Sequence, residues 1–269
     1  MRPAHTSHPL VVDVALAPAL LPDGPTRQDT TYVVIDVVRA TTTICMLFER
    51  GCRRVLLASS VAAARAAQAD LGTDWLLAGE VEGARPPGFD FGNSPAEFAT
   101  LDLAGRGVIC ATTNGTRALR ACAGGLAVYA GSLRNAETIA RTLAAEWLER
   151  PGEVVFVCAG RGDRPAYDDT ICAGYLAHSL LRVVGAERVV LGESARMACD
   201  LLAHVEATVG IEAALRGSDA GQAVERIGLG ADIALCAAVD MAPVLPALAG
   251  MYLATDLYVV EDAVRRPYE

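Results

Sequence analysis

Two short segments of the chain place several threonines where an apolar run gives way to a helical pattern. The first leads from the run 32–38 into Arg39 and residues 40–43, and the second leads from the run 108–110 into residues 111–116. Free backbone N–H groups at a helix start, flanked by hydroxyl side chains, suit a bound anion such as phosphate, and Arg39 could clamp a second anionic group. We therefore predict a site for a multiply anionic small molecule. Its candidate binding residues are Arg39, Thr41, Thr42, Thr43, Thr112, Thr113, Asn114, Gly115 and Thr116.

Acidic residues accompany two of the predicted strands. Asp36 lies within the apolar run 32–38, where a carboxylate is costly unless it is paired or bound to a metal, and Glu80 directly follows the run 75–79. Ligands gather at the carboxyl ends of parallel strands, and Mg²⁺ takes one or two carboxylates together with water and phosphate oxygens. The two acids therefore predict a magnesium site. The alternatives are that Asp36 caps a helix or pairs with Arg39, and that Glu80 is an exposed loop acid.

A further pair of acids follows the apolar run 154–158. Asp168 and Asp169 stand directly before an apolar helical pattern. We predict that one of them binds the metal or acts as a general base. The alternative is that both only stabilise the start of the helix through their charge. Cys158 ends the same strand, but no histidine is adjacent in the sequence to activate it, which makes a catalytic thiol the weaker hypothesis.

The segment 80–103 is rich in glycine, proline and asparagine and has no regular pattern. Compact domains rarely carry an irregular loop of this length unless it is functional or mobile. Within it, Pro95 suits the first turn of a short helix, which Asn93 or Ser94 would cap. Capping does not explain why Phe89 and Phe91 flank an aspartate here.

The composition narrows the class of protein. The chain has 269 residues, of which 52% are hydrophobic, and a formal net charge of −9. It has no basic run, which makes nucleic acid an unexpected partner, and no apolar run near the roughly 20 residues of a membrane span. Because its start also lacks an apolar signal-peptide core, we expect a cytoplasmic location. The eight cysteines form no C-x-x-C pair, and we expect most of them to be reduced core residues.

Strand-like runs alternate with helical patterns along most of the chain, which predicts an α/β fold with a mainly parallel sheet covered on both faces. Predicted strands are 31–38, 53–58, 75–78, 107–111, 126–130, 153–158 and 187–191. Predicted helices are 42–50, 60–70, 115–123, 133–149, 169–183 and 194–207. After residue 208 we predict a helical C-terminal section with a possible last strand at 251–254. No linker marks a boundary, so we expect one domain over 1–269, built either as a single unit or as two tightly packed lobes.

Several motifs, and the order in which they follow one another along the chain, resemble those of the 2-phosphosulfolactate phosphatase family, which is known for a step of coenzyme M synthesis. A weaker match, DIALCAAVDMAPVLP (232–246), extends the resemblance, which covers roughly residues 30–246. The stronger matches are VIDVVRATTT (34–43), AGE (78–80), GFDFGNSP (88–95), ATTNGTRAL (111–119), AGSLRNA (130–136), CAGRG (158–162) and DDTICAG (168–174).

The resemblance implies a magnesium-dependent phosphatase with a three-layer α/β/α fold. Its substrate would be a short acid that bears phosphate, carboxylate and sulfonate groups. Carried over to matching positions, the catalytic candidates are Asp36, Asp168 and Asp169, and the metal ligands are Asp36, Glu80 and Asp169. Besides the two turns, the implied substrate-binding residues are Asn93, Ser132 and Asn135.

The expected reaction is hydrolysis of 2-phosphosulfolactate, or a similar phosphate monoester of a 2-hydroxy acid, to the hydroxy acid and phosphate. We expect the turn 111–116 to hold the phosphoryl group and the turn 39–43 to hold the far anionic end. One of the three aspartates would activate water or attack phosphorus directly, and the residues leave both routes open. The alternative function is a non-catalytic protein that binds small anions. Homo-oligomerisation is possible under either function.

Overall fold

Within the described residues, ten strands form a single mixed sheet. The computed structural model describes residues 8–21, 27–112, 114–252 and 257–265. The strands are β1 (Leu10–Ala15), β2 (Thr30–Ile35), β3 (Arg54–Ala58), β4 (Trp75–Gly79), β5 (Gly107–Ala111), β6 (Ala127–Gly131), β7 (Glu153–Cys158), β8 (Val189–Leu191), β9 (Pro246–Met251) and β10 (Tyr258–Asp262). Their order across the sheet is β4-β5-β3-β10-β9-β6-β2-β7-β1-β8.

Helices fill most of the connections between strands. They are α1 (Ala40–Glu49), α2 (Val61–Leu71), α3 (Pro95–Phe98), α4 (Asn114–Cys122), α5 (Ala136–Glu149), α6 (Tyr167–Val184), α7 (Glu193–Ala207), α8 (Ile211–Gly217), α9 (Asp219–Arg226) and α10 (Ala231–Ala237). Among the described residues, none of the helices combines the length and the apolar character needed to span a bilayer. The last three form the helical C-terminal section that the sequence predicted.

The sheet consists of two parallel blocks that run in opposite senses. Strands β4, β5 and β3 are parallel to one another, and so are β6, β2, β7, β1 and β8. Between the blocks, β10 and β9 make three successive antiparallel pairings, which reverse the direction. In a flat sheet, the carboxyl ends of the two blocks would therefore lie at opposite edges.

Curvature of the sheet brings these ends together. One hydrophobic cluster contains side chains of β2 and β7 together with side chains of β3 and β5, so the two blocks face each other across it. Helix α1 lies in this cluster, and nine of its ten residues are buried. Neighbouring strands rotate by roughly 20–25°, a twist that accumulates across the intervening strands. As a result, the starts of α1 and α4, which follow strands of different blocks, adjoin.

Helices also cover the outer faces of both blocks. Helices α5, α6 and α7 pack on the block that contains β2 and β7, and α2 packs on β3 and β5. A parallel strand covered on both faces should be apolar throughout, and every residue of β2 is buried. The arrangement agrees with the predicted three-layer α/β/α fold.

The C-terminal strands differ from the prediction. The structure places β9 at Pro246–Met251 and adds β10 at Tyr258–Asp262, whereas the prediction was a strand at 251–254. Residues 253 and 254 of that prediction lie outside the described residues. Strand β1 was also missed, although it pairs with β7 and β8 on either side. These strands owe their pairing to partners distant in the chain, which a local pattern does not reveal.

Candidate active site

A cavity of about 990 Å³ opens where four strands end. Its lining includes Asp36 after β2, Glu80 after β4, Thr112 after β5 and Gly160 after β7. Helix α9 and the residues just before it form the opposite wall. Side chains at the carboxyl ends of parallel strands are the usual position for ligand binding in an α/β sheet. The predicted site residues can therefore be judged by whether they reach this cavity.

Asp36 stands at the junction of the two blocks. Its Oδ1 accepts a hydrogen bond from the Ala40 N–H at 3.2 Å, so the acid caps the first turn of α1. A Cβ atom at Gly115, in the first turn of α4, would lie 3.1 Å from Asp36 Oδ2. Burial raises the pKa of Asp36, the N–H of Ala40 lowers it, and the charge of Glu80 raises it further. The capping alternative is thus realised, but the acid also lines the cavity.

Asp169 holds two strand ends together. Its Oδ1 accepts from the Val37 N–H at 2.9 Å and its Oδ2 accepts from the Gly160 N–H at 3.0 Å, so both oxygens bond the backbone. Burial raises its pKa well above the ordinary value, and the charges of Asp168 and Asp36 add to the shift. Asp169 lines the cavity, and each of its oxygens has a second lone pair for a further ligand.

Asp168 has the pKa best suited to proton transfer near neutrality. Burial raises the pKa to about 7, an increase to which the charge of Asp36 contributes and which a hydrogen bond from Ser218 opposes. Its side chain is buried and lines the cavity. A group that is half-ionised near neutral pH can act as either a general acid or a general base.

Glu80 is held at the cavity by its own loop. Its N–H donates to the Ala111 carbonyl at 3.0 Å, and its Oε2 accepts from the Gly83 N–H at 2.7 Å. Gly83 has a φ of +84°, a conformation that favours glycine. The half-buried carboxylate is therefore fixed by a tight turn over residues 80–84, which corrects the alternative of an unconstrained, exposed loop acid.

Arg39 lines the cavity, but its guanidinium is already engaged. Its Nη1 lies 2.9 Å from Asp232 Oδ2 in a buried ion pair, and its Nη2 donates to the Gly83 carbonyl at 3.0 Å. Arg39 thus forms a buried ion pair with Asp232, and not the pair with Asp36 that the sequence offered as an alternative. Two of its five N–H groups are accounted for by these bonds.

The threonines after Arg39 do not reach the cavity. Thr41 Oγ1 accepts from the Asp36 N–H at 3.1 Å, and Thr42 Oγ1 donates to the Val37 carbonyl at 2.8 Å. Thr43 Oγ1 is buried without a hydrogen-bond partner among the described residues. All three side chains lie within the buried helix α1 and are absent from the cavity lining. This placement does not agree with their predicted role in substrate binding.

The second turn opens towards the cavity. Thr112 is part of the lining, and its Oγ1 lies 3.1 Å from Thr116 Oγ1. Gly115 brings the first turn of α4 against Asp36. Thr113 lies outside the described residues, and Asn114 begins α4 with a side chain that is not described. The start of α4 therefore adjoins Asp36, the acid just before α1.

Of the remaining predicted binding residues, one reaches the cavity. Asn93 belongs to the lining. Ser132 and Asn135 instead form a capping box around a short 3₁₀ turn, in which the Ser132 N–H donates to Asn135 Oδ1 at 2.9 Å. Both are buried away from the cavity lining, so the structure gives them a local role.

Comparison with known proteins decides the family. The family model described as 2-phosphosulpholactate phosphatase matches residues 15–250. The chain belongs to the 2-phosphosulfolactate phosphatase family. A relative from Thermus thermophilus, named "probable 2-phosphosulfolactate phosphatase", is 39% identical over 81% of this chain and 87% of its own length. Relatives with the same name from Deinococcus radiodurans (37% identical, 85% and 91% covered) and Symbiobacterium thermophilum (35%, 80% and 89%) agree.

In this member of the 2-phosphosulfolactate phosphatase family, the cavity wall includes residues that the sequence did not single out. Ser218, which caps α9 through the Gly221 N–H, lines the cavity with Asp219 and Arg226. Arg161 lies on the opposite side and pairs with Asp219 at 3.7 Å. Arg161 stood within a recognised motif, whereas nothing local in the sequence around Arg226 indicated a site.

The charge balance of the cavity favours a cation. Six acids line it, namely Asp36, Glu80, Glu82, Asp168, Asp169 and Asp219, against the three arginines Arg39, Arg161 and Arg226. Across the described ranges, no three His, Cys, Asp or Glu side chains form a ready-made ligand set. Magnesium is usually held by one or two carboxylates, with water and phosphate oxygens completing its shell. The hard oxygen donors of Asp36 and Glu80 fit that mode of binding.

The structure does not favour the catalytic-thiol hypothesis. Cys158 is fully buried at the end of β7 and is not part of the cavity lining. Burial raises the pKa of its thiol well above the ordinary value, and the charge of Asp169 raises it further. A thiol in these surroundings is protonated, and the thiolate is the nucleophilic form.

Proposed function

We propose that this chain hydrolyses a small phosphate monoester of a 2-hydroxy acid, with 2-phosphosulfolactate as the first substrate to test. Membership of a phosphatase family identifies it as a phosphoric monoester hydrolase. The observation that carries the proposal is the gathering of Asp36, Glu80 and Thr112 at the ends of three strands in one cavity. The products would be 3-sulfolactate and inorganic phosphate.

The proposed cofactor is Mg²⁺, held by Asp36 and Glu80 with Asp169 beside them. Burial raises the pKa of Asp36 and Asp169, and repulsion from neighbouring acids, Glu80 for Asp36 and Asp168 and Asp36 for Asp169, raises it further, which supports the presence of a cation beside them. A bound Mg²⁺ would polarise a phosphoryl oxygen and offset negative charge that develops as the ester bond breaks. Asp169 also orients the site, because its bonds to Val37 and Gly160 fix the ends of β2 and β7.

The phosphoryl group is proposed to lie against the start of α4. Thr112 supplies a hydroxyl there, and N–H groups at the start of α4 other than that of Gly115, which donates to the Asp36 carboxylate, would bind phosphoryl oxygens. Asn114 and Thr116 belong to the same turn, and Thr116 supports Thr112 through the contact between their hydroxyls. Asn93 would contribute from the neighbouring loop.

Proton transfer is assigned to Asp168. With a pKa raised to about 7, its carboxylate can take a proton from an attacking water as the P–O ester bond breaks, and the alkoxide that leaves can recover a proton. Direct attack by an aspartate would instead form a phosphoaspartate, which water then hydrolyses. Hydrolysis of a substrate with a chiral, isotopically labelled phosphoryl group separates the two routes, since one displacement inverts the configuration at phosphorus and two displacements retain it.

The other anionic groups of the substrate need positive charge. Arg39 faces the cavity, with its position set by Asp232 and Gly83. Arg161 and Arg226 lie at the exposed rim, and an exposed ion pair such as Arg161–Asp219 contributes little energy and is easily exchanged for a substrate anion. We therefore assign the carboxylate and sulfonate to these three arginines together.

Phosphate release tests the proposal. Purified protein is assayed with 2-phosphosulfolactate, with 2-phospholactate and with a phosphate monoester that has no anionic group besides the phosphate. Each assay is run with Mg²⁺ and again with excess chelator. Metal-dependent release that falls as the anionic groups are removed is the expected result. If the protein binds these acids but hydrolyses none of them, the phosphatase function is rejected in favour of the non-catalytic anion-binding function.

The proposal also includes a cytoplasmic location. All eight cysteines are free thiols, and seven of them are buried. Proteins of oxidising compartments commonly contain disulfides, whereas reduced thiols are typical of the cytosol. Association into homo-oligomers remains a prediction, which sedimentation of the purified protein would test.

A further inference from the structure

One fully buried acid outside the cavity joins three segments of the chain. Asp232, in the first turn of α10, accepts hydrogen bonds from Arg39 Nη1 at 2.9 Å, from Ser94 Oγ at 2.6 Å and from the Ala96 N–H at 3.2 Å. Its side chain has no exposed surface, and that of Arg39 is 4% exposed. Asp232 therefore connects α10, the start of α3 and the turn before α1.

A chain of contacts leads from this acid to the cavity. Arg39, held by Asp232, donates through its other terminal nitrogen to the Gly83 carbonyl. The Gly83 N–H in turn donates to Glu80 Oε2. Glu82 and Gly83, with φ of +53° and +84°, form a tight turn whose outer residues are exposed. Arg39 thus ties an otherwise exposed turn to the interior of the protein.

Stability alone is a weak reason for such an arrangement. Removing two charges from water costs several kcal/mol per ion, and a buried ion pair is often no better than apolar side chains of the same volume. The planar guanidinium, however, can bond two acceptors in fixed directions, as Arg39 does with Asp232 and Gly83. The pair is thus better suited to fixing geometry than to adding stability.

We propose that Asp232 is a positioning residue for the cavity. It orients Arg39, which holds the turn over residues 80–84 and so keeps the Glu80 carboxylate in place. The proposal rests on the function assigned above for the role of Glu80, but its structural part, the anchoring of the turn, stands independently. In metal sites, loss of a residue that orients a ligand typically weakens metal affinity or activity about 10- to 100-fold.

Four variants test this positioning role. Asp232→Asn removes the charge that holds Arg39. Arg39→Lys keeps the ion pair but loses the second N–H group, which donates to the Gly83 carbonyl. Because this variant leaves no buried charge unpaired, it provides the test if Asp232→Asn folds poorly. Ser94→Ala removes one of the two contacts between Asp232 and the start of α3 and leaves the pair with Arg39 intact. Glu49→Gln removes a largely buried carboxylate away from the cavity, which pairs with Arg134 and with Arg50, each at 2.6 Å.

Two measurements are made on each folded variant. Hydrogen exchange of the peptide that covers residues 80–84 reports on the turn, and titration with Mn²⁺ or Mg²⁺ reports on the carboxylate. Both Asp232→Asn and Arg39→Lys should speed exchange in this peptide and weaken cation binding by about 10-fold or more. Glu49→Gln and Ser94→Ala should leave both readouts near those of the unsubstituted protein.

The outcomes separate the two proposals. Unchanged exchange at 80–84 in both Asp232→Asn and Arg39→Lys, or an equal change in Glu49→Gln, would overturn the positioning role. Faster exchange in a protein that hydrolyses none of the tested phosphate esters would leave the positioning of the turn intact and reject the phosphatase function.

Discussion

The two threonine-rich turns look alike in sequence but have opposite positions in the structure. In the turn before α1, the hydroxyls of Thr41 and Thr42 bond the backbone of residues 36 and 37, and no threonine of this turn lines the cavity. In the turn before α4, Thr112 lines the cavity. The first turn contributes an acid and an arginine, whereas the second contributes a hydroxyl and the start of a helix.

The burial of the following helix explains the difference. Helix α1 is packed between the two blocks of the sheet, so its polar side chains lie away from water. Buried hydroxyls must find partners within the protein, and the nearest partners are backbone groups. A run of threonines at a strand-to-helix junction is therefore no evidence for anion binding until the exposure of the helix start is known.

The largest expected effect comes from removing the acid that the first turn contributes. Asp36→Asn keeps the shape of the side chain but removes a charge from the proposed magnesium ligands. A loss of several kcal/mol of transition-state stabilisation corresponds to about 10³-fold in kcat/KM. The measurement is phosphate release at saturating Mg²⁺.

Asp13→Asn provides the control for this prediction. Asp13 is also a strand aspartate, but its Oδ1 accepts from the adjacent Val14 N–H and it does not line the cavity. Near-normal activity in Asp36→Asn, or an equal loss in both variants, would contradict the assignment of Asp36 as a ligand.

The second expected effect is a lower kcat when the turn before α4 loses the hydroxyl of Thr112. Thr112→Val removes a donor to the phosphoryl oxygens, and loss of one such preorganised donor typically costs about 10²-fold in kcat. Stability should fall by only about 1 kcal/mol, because the side chain keeps its volume but loses its hydrogen bond with the Thr116 hydroxyl. Thr31→Val, a buried threonine at the amino end of β2, is the matched control. Equal kcat for Thr112→Val and the control would remove this turn from the phosphoryl site.

Much of the site could be predicted from the sequence because it follows from local patterns. The apolar runs that became β2, β4, β5 and β7 were recognisable, and ligand sites at strand ends follow from their parallel arrangement. Asp36, Glu80, Asp168 and Asp169, which were chosen on this basis, all line one cavity.

What escaped prediction depends on contacts distant in the chain. Arg39 and Asp232 are 193 residues apart, and no local feature indicates that they pair. The same holds for β1, which lies between β7 and β8, and for β10, which lies between β3 and β9. The burial of α1, and with it the role of its threonines, follows from the curvature of the whole sheet.

The acids also predict a pH-dependent stability in metal-free protein. Burial raises the pKa of Asp36 and Asp168, the latter to about 7. A carboxyl group with a raised folded-state pKa keeps its proton while the unfolded chain loses it, so the free energy of unfolding falls as pH rises from about 4 to 7. One pKa unit corresponds to about 1.4 kcal/mol, so a change of a few kcal/mol is expected.

Urea unfolding in the presence of a chelator at several pH values measures this slope. Asp168→Asn should flatten it, and Thr112→Val should leave it unchanged, since the second turn contributes no acid. A slope that Asp168→Asn leaves as steep as before would show that other groups govern the pH dependence.

The smallest expected effect compares two adjacent threonines of the first turn. Thr42→Val removes a buried hydroxyl that donates to the Val37 carbonyl, and leaving that carbonyl without its partner should cost about 1–3 kcal/mol. Thr43→Val removes a buried hydroxyl that has no partner among the described residues, so it should be neutral or stabilising. Neither variant should change KM, because neither side chain reaches the cavity. Urea denaturation gives the two stabilities. A raised KM in Thr42→Val at unchanged stability would instead restore the first turn as a substrate-binding turn.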